Sequence, residues 1–241
     1  MFNLESLKIF GVLIYIFIYL IFPFPAITQT TKIDLRRNIE NALNSRNLNL
    51  LKNSFEDEDT AEITKNFSNI IKEFPDSKWK IKKLKSKHLN ENIFKIKVVG
   101  KKIVDGEIYI LESNFDYVFL MTGEKIKKGS IKNLFTIVRN DQRNIDISFK
   151  IPNKVLTGAQ YDIDIILNKP LGDNIIAGGI QPHQLDSFLK QEITLEPLVS
   201  GGIFKITRAP SKAGIQIWSG VIAHPKGIIT FTKSVDIVEN I

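Results

Sequence analysis

Apolar and polar positions alternate with a period of two through residues 201–238, GGIFKITRAPSKAGIQIWSGVIAHPKGIITFTKSVDIV. Successive side chains on a strand point to opposite faces, so the alternation predicts three strands. In the first, Phe204 and Ile206 are expected to face a core, with Ile203, Lys205 and Thr207 on the other side. Arg208-Ala209-Pro210-Ser211 interrupts the ladder, because proline carries no N–H to donate. A second strand restarts at Ala213-Gly214, with Ile215, Ile217, Ser219 and Val221 on one parity and Gln216, Trp218, Gly220 and Ile222 on the other. Pro225-Lys226-Gly227 supplies turn chemistry, and 228–238 is rich in the β-branched residues that suit a third strand. The three are expected to form an antiparallel meander, whose apolar face requires a second sheet.

That second sheet is expected upstream. Ile145, Ile147, Phe149 and Ile151 alternate with polar residues, as do Tyr161, Ile163 and Ile165 with Asp162 and Asp164. Residues 174–180 and 192–198 are further apolar runs. About seven strands in roughly a hundred residues resembles an immunoglobulin-like β-sandwich. The chain has no cysteine for the inter-sheet disulfide, and Trp218 lies late, so the resemblance is one of sandwich architecture.

Ahead of this region the period changes. Thr31, followed three residues later by Asp34, marks a helix over 31–44 with Leu35, Ile39, Ala42 and Leu43 on one face. Leu48, Leu50, Leu51 and Phe55 suggest a second helix. A third is expected from Asp59 to about Phe74, with Ile63, Phe67, Ile70 and Ile71 as its stripe. The acidic run 56–59 suits the positive end of that helix. Strands are expected over 79–87, 92–100, 107–121 and 130–139, with turns at 90–92, 105–106 and 123–129. Helices on a curved antiparallel sheet make an α+β cone. Ala42-Leu43-Asn44-Ser45-Arg46-Asn47-Leu48-Asn49-Leu50-Leu51, then 67–74, then Pro75-Asp76-Ser77-Lys78-Trp79-Lys80-Ile81, resembles nuclear-transport-factor-2-like domains; a cystatin-like sheet reads similarly. The resemblance implies helices followed by long strands folded over a pocket. The whole layout also resembles a group of secreted cyanobacterial proteins without an established activity, through Leu156-Thr157-Gly158-Ala159-Gln160-Tyr161-Asp162 and 201–209. The expected fold is therefore an α+β amino-terminal domain over 29–143 and an all-β sandwich over 144–241.

Residues 9–22 are fourteen uninterrupted apolar or small residues, followed by Pro23, Pro25 and Ala26-Ile27-Thr28-Gln29. A signal peptide has an apolar segment of about 7–15 residues before a small-residue cleavage site. A spanning helix wants about 20. Residues 1–28 thus read as a cleaved signal peptide or an amino-terminal membrane anchor, and either one places the rest outside the cytoplasm.

Charge sharpens the division. The 241-residue chain carries +7, and residues 29–144 hold 23 Lys+Arg against 16 Asp+Glu, whereas 145–241 hold nine of each. Any anionic partner is therefore expected on the first domain, while the abundance of Lys, Ile and Asn is equally the mark of a genome-composition bias. Residues 78–102 carry ten lysines against one acid, Glu91, with Trp79 and Phe94 between them. Lys80, Lys82, Lys95 and Lys97 are expected to share a strand face, the candidate site for an anionic surface. Nucleic-acid binding would use such a face with its aromatics, but an exported chain rarely meets nucleic acid. A membrane, a cell-envelope polymer or an acidic protein fits better, and a solvated lysine face is the plainer reading.

Other chemistry is thinly supported. The lack of cysteine excludes disulfides, thiolate metal sites and cysteine nucleophiles. No phosphate-binding glycine loop or nucleophile elbow is present, so no cofactor is expected. His88, His183 and His224 read as turn residues, too scattered for a zinc set. Asp162 and Asp164 share a strand face without a calcium loop, which reads as a solvated face. Asp116 and Tyr117 are candidate polar contacts for a ligand in the cone, although neighbours on a strand face opposite ways. The expected function is non-enzymatic binding or scaffolding with a protein or anionic-surface partner. The alternative is a small-molecule carrier or enzyme using the cone.

Overall fold

The computed structural model describes residues 34–56, 64, 67–86, 88, 91–140, 145–169, 175–183, 193–198 and 201–240. The apolar leader, Thr31 and the expected helix start at Asp59 lie outside the described residues. Helix α1 spans Leu35–Asn44 and buries Ile39, Ala42 and Leu43. Its cap is Asp34, whose carboxylate accepts from the Arg37 N–H and satisfies a donor the helix itself leaves open. Helix α2, Leu48–Asn53, is capped in the same way by Asn47 and buries Leu51. Residues 67–73 are helical, with Phe67 buried.

Among the described residues twelve strands follow: β1 Lys78–Leu84, β2 Asn92–Val104, β3 Glu107–Thr122, β4 Lys125–Asn140, β5 Ile147–Lys150, β6 Lys154–Leu156, β7 Gln160–Leu167, β8 Ala177–His183, β9 Glu196–Pro197, β10 Gly202–Arg208, β11 Gly214–His224 and β12 Gly227–Val238. Nine form one sheet in the order β1-β2-β3-β4-β12-β11-β8-β9, with β6 alongside β12. The other three make a second sheet, β10-β7-β5. Every pairing is antiparallel except β6 with β12.

The large sheet buries opposite faces at its two ends. Trp79, Ile81, Phe94, Ile96, Val98 and Phe119 join the helices in one core. Trp218, Ile222, Ile229, Phe231, Val235 and Ile237 join Ile163 and Ile165 of β7 in the other. Directly opposed residues on paired strands share a face. One such row runs Lys78, Val99, Glu112, Ile137, Phe231, Gly220. It begins in solvent at β1 and ends under the small sheet, so a single face passes from wet to dry.

The expectation of an α+β cone followed by a separate sandwich is overturned. The chain is mostly β, and hydrogen bonds between β4 and β12 join both regions in one sheet. Long β strands match the alternating patterns expected in two sheets, and the described helices pack at the β1 end. The expected meander is also corrected: β10 pairs with β7 in the small sheet, while β11 and β12 form a hairpin. The Arg208-Ala209-Pro210 break is where the chain changes sheets. That move reverses the parity of β10. Ile203 is buried, whereas Phe204 and Ile206 are 54% and 69% exposed. Apolar alternation alone could not choose between the two faces, because Ile203 is as apolar as its neighbours. Strand β4 also starts earlier than the turn expected over 123–129 allows.

Candidate functional site

Strands β1 and β2 set four lysines in two facing pairs, Lys80 opposite Lys97 and Lys82 opposite Lys95. All four are exposed. Opposed side chains on such a ladder lie about 4.5–5.5 Å apart at Cβ, and like charges there repel. Lys78 and Lys101 have the same parity, so the face carries six lysines. The residues between them alternate inward, and Trp79 and Phe94 are buried against the helices. The two aromatics interleaved with the lysines in sequence are therefore on the far side of the sheet.

Asp116 lies on the lysine face, opposite Lys95 on one side and Lys132 on the other. Its Oδ2 accepts from Asn133 Nδ2 at 2.7 Å. Asn133 has φ 51°, and the β3–β4 register slips between Asn114 and Asp116. Asparagine tolerates this left-handed conformation better than most residues. Tyr117 points to the opposite face. It stacks on Phe119 with ring centroids 5.6 Å apart and meets Phe55 edge-on at 6.4 Å. The two candidate cone residues thus share no site, and the aromatics of this region fill the helix-side core.

A polar cluster unforeseen from the sequence lies beside the middle of β4, where its pairing with β12 stops. Strand β12 pairs with β4 as far as Lys233, opposite Phe135, and takes up β6 from Asp236 onward. At this junction the Leu134 N–H donates to Ser234 Oγ at 2.8 Å, and Lys233 Nζ donates to Asn153 Oδ1. Burial lowers the Lys233 pKa, with the charge of Asp236 opposing. Burial raises the Asp236 pKa against the pull of Lys132, Lys154 and Lys233, and Asp116 adds to the rise. Asp236 Oδ1 is buried without a hydrogen-bond partner among the described residues. These groups are distant in sequence and meet only because β12 divides its edge between two partners, so no local spacing announces them.

The remaining candidates stay apart. His88 is exposed. His224 ends strand β11 instead of occupying the turn, and its Nδ1 accepts from the Lys226 N–H at 2.9 Å; burial, then the Lys226 charge, lowers its pKa. His183 ends strand β8 instead of occupying a turn. Asp162 and Asp164 are opposite Ile206 and Phe204, on the outer side of the small sheet. Among the described residues no three His, Asp or Glu gather as a metal site, and no helix is long and apolar enough to cross a membrane.

Residues 142–238 match a sequence family described as a Domain of unknown function (DUF8623). The match spans β5 to β12 and leaves β1 to β4, with the lysine face, outside it. No curated protein matches the chain.

Proposed function

We propose that the protein is an exported, non-enzymatic binding protein that docks on an anionic surface through the β1–β2 face. The observation that carries this reading is the facing of Lys80 with Lys97 and Lys82 with Lys95. Two like-charged pairs weaken a ladder slightly, so their placement is better explained by an outside anion than by stability. The leader at 9–22 supports export. Burial of Trp79 and Phe94 argues against nucleic acid, which would use exposed rings for base stacking.

The test compares the wild-type chain with the quadruple variant Lys80→Gln, Lys82→Gln, Lys95→Gln, Lys97→Gln for binding to immobilised polyphosphate over a salt gradient. Wild type is expected to bind at low salt and elute as salt rises, since exposed charges are screened over about 10 Å at 0.1 M. The variant is expected to lose binding while its melting temperature holds or rises. Equal retention of the two proteins would overturn the reading.

A further inference from the structure

We infer that the anionic surface is a lipid bilayer, and that the β2–β3 hairpin enters its apolar layer; this deepens the basic-face reading and rests on it. The lysine face is not purely polar. Val99 is on it between Lys97 and Lys101, and Ile103 follows at the end of β2. Val99 is 43% exposed and Ile103 is 72% exposed. Val104, also exposed, precedes a tight turn through Asp105 and Gly106, both at positive φ. That turn has the left-handed pair favoured in two-residue hairpins, which makes the tip narrow and preformed.

The composition of the face separates the candidate anions. A soluble polyanion offers charge but nothing for an exposed isoleucine. A bilayer with acidic headgroups offers both, with phosphates at the level of the lysines and hydrocarbon beneath. Lysine suits this position because its aliphatic stem can lie along apolar surface while the ammonium stays wet. Lys78, Lys80, Lys82, Lys95, Lys97 and Lys101 give the positive charge. The acids nearest the tip are largely engaged elsewhere: Glu112 pairs with Arg139 at 3.5 Å, and Glu107 accepts from Asn140 Nδ2 at 2.6 Å. Asp105 remains at the turn and opposes docking, so Asp105→Asn, which keeps the turn chemistry, should tighten it.

The experiment uses the cysteine-free full chain carrying Ile103→Cys, labelled with an environment-sensitive fluorophore. It is mixed with vesicles of phosphatidylcholine alone or of phosphatidylcholine with phosphatidylglycerol. The 9–22 leader can attach to either vesicle, whereas the probe reports position 103. The inference expects a blue shift and protection from an aqueous quencher on the anionic vesicles only. Each Lys→Gln change on the face should weaken the response about fivefold, the effect of one basic residue near an acidic membrane. A Val99→Cys label should respond in the same way, and Ile103→Asp should abolish that response. If position 103 stays in water on anionic vesicles while polyphosphate is still bound, the bilayer inference fails and the basic-face reading stands. If polyphosphate binding is also absent, both fail.

Discussion

Trp218 donates its indole N–H to the hydroxyl of Tyr161 across 2.8 Å, and that hydroxyl donates to Gln216 Oε1 across another 2.8 Å. Trp218 and Gln216 belong to the large sheet and Tyr161 to the small one, so the relay ties two layers through a mainly apolar core. Trp218 is 1% exposed. A buried donor without a partner costs about 1–3 kcal/mol. Tyr161→Phe is therefore expected to lower unfolding stability by that amount, measured by urea denaturation. An unchanged midpoint would show that water replaces the hydroxyl.

Helix α1 closes the outer edge of β1 with side chains. Asn44 donates to the Trp79 carbonyl and accepts from its N–H, both at 2.9 Å. The Ile81 N–H donates to Glu40 Oε2 at 2.8 Å, and Arg36 reaches the Ile81 carbonyl. An uncovered edge would expose a row of pairing groups. Asn44→Ala should speed hydrogen exchange at the Trp79 amide and leave the β11–β12 amides unchanged. Equal acceleration at both places would mean that the contact acts through global stability.

Gly220 lies opposite Phe231, and the ring covers it. A methyl group built there would be 2.2 Å from Phe231 Cζ and 2.9 Å from the Gly179 carbonyl oxygen. The ring is buried and the carbonyl is backbone, so neither yields easily. Overpacking of this kind costs about 1–3 kcal/mol or more. Gly220→Ala is expected to lower the melting temperature despite alanine's better strand entropy; a neutral result would show that the ring can swing aside.

Asp236 has a raised pKa, chiefly through burial. The native state therefore holds this proton more tightly than the unfolded chain. Its contribution to stability falls as pH rises from the ordinary carboxyl value through the folded pKa, and the cost is complete above that. Lys233, lowered by burial, is destabilising below its folded pKa and is relieved as pH rises toward the ordinary lysine value. Asp236→Asn should raise the neutral-pH melting temperature and flatten the acid-side dependence. A lower melting temperature would mean that attraction to Lys132, Lys154 and Lys233 outweighs the burial penalty.

Local rules located the elements better than they arranged them. The strand containing Phe94, Ile96 and Val98 was legible because its apolar residues alternate strictly with lysines, and the same alternation placed Lys95 and Lys97 on one face. In β10 three of the residues from Ile203 to Ile206 are apolar, so its face was settled by which sheet it joined. The β4–β12 pairing was invisible for another reason. It links residues about a hundred positions apart, and nothing in either strand names its partner. The junction of Lys233, Asp236 and Asn153 inherits that non-locality.

The β4–β12 ladder also bears on what happens when this chain is cut. A fragment beginning near residue 142 keeps β12 but loses β4, and the backbone groups of 229–233 that β4 engages become an open template. Phe231 and Ile229 on that strand are apolar and fully packed in the intact protein. Released in this way, the strand can pair edge-to-edge with the same strand of a second molecule, and because β11 still holds its other side the contact closes as a dimer. The amino-terminal half therefore does more than carry lysines: it acts as a built-in cover against edge-to-edge association of the half that follows.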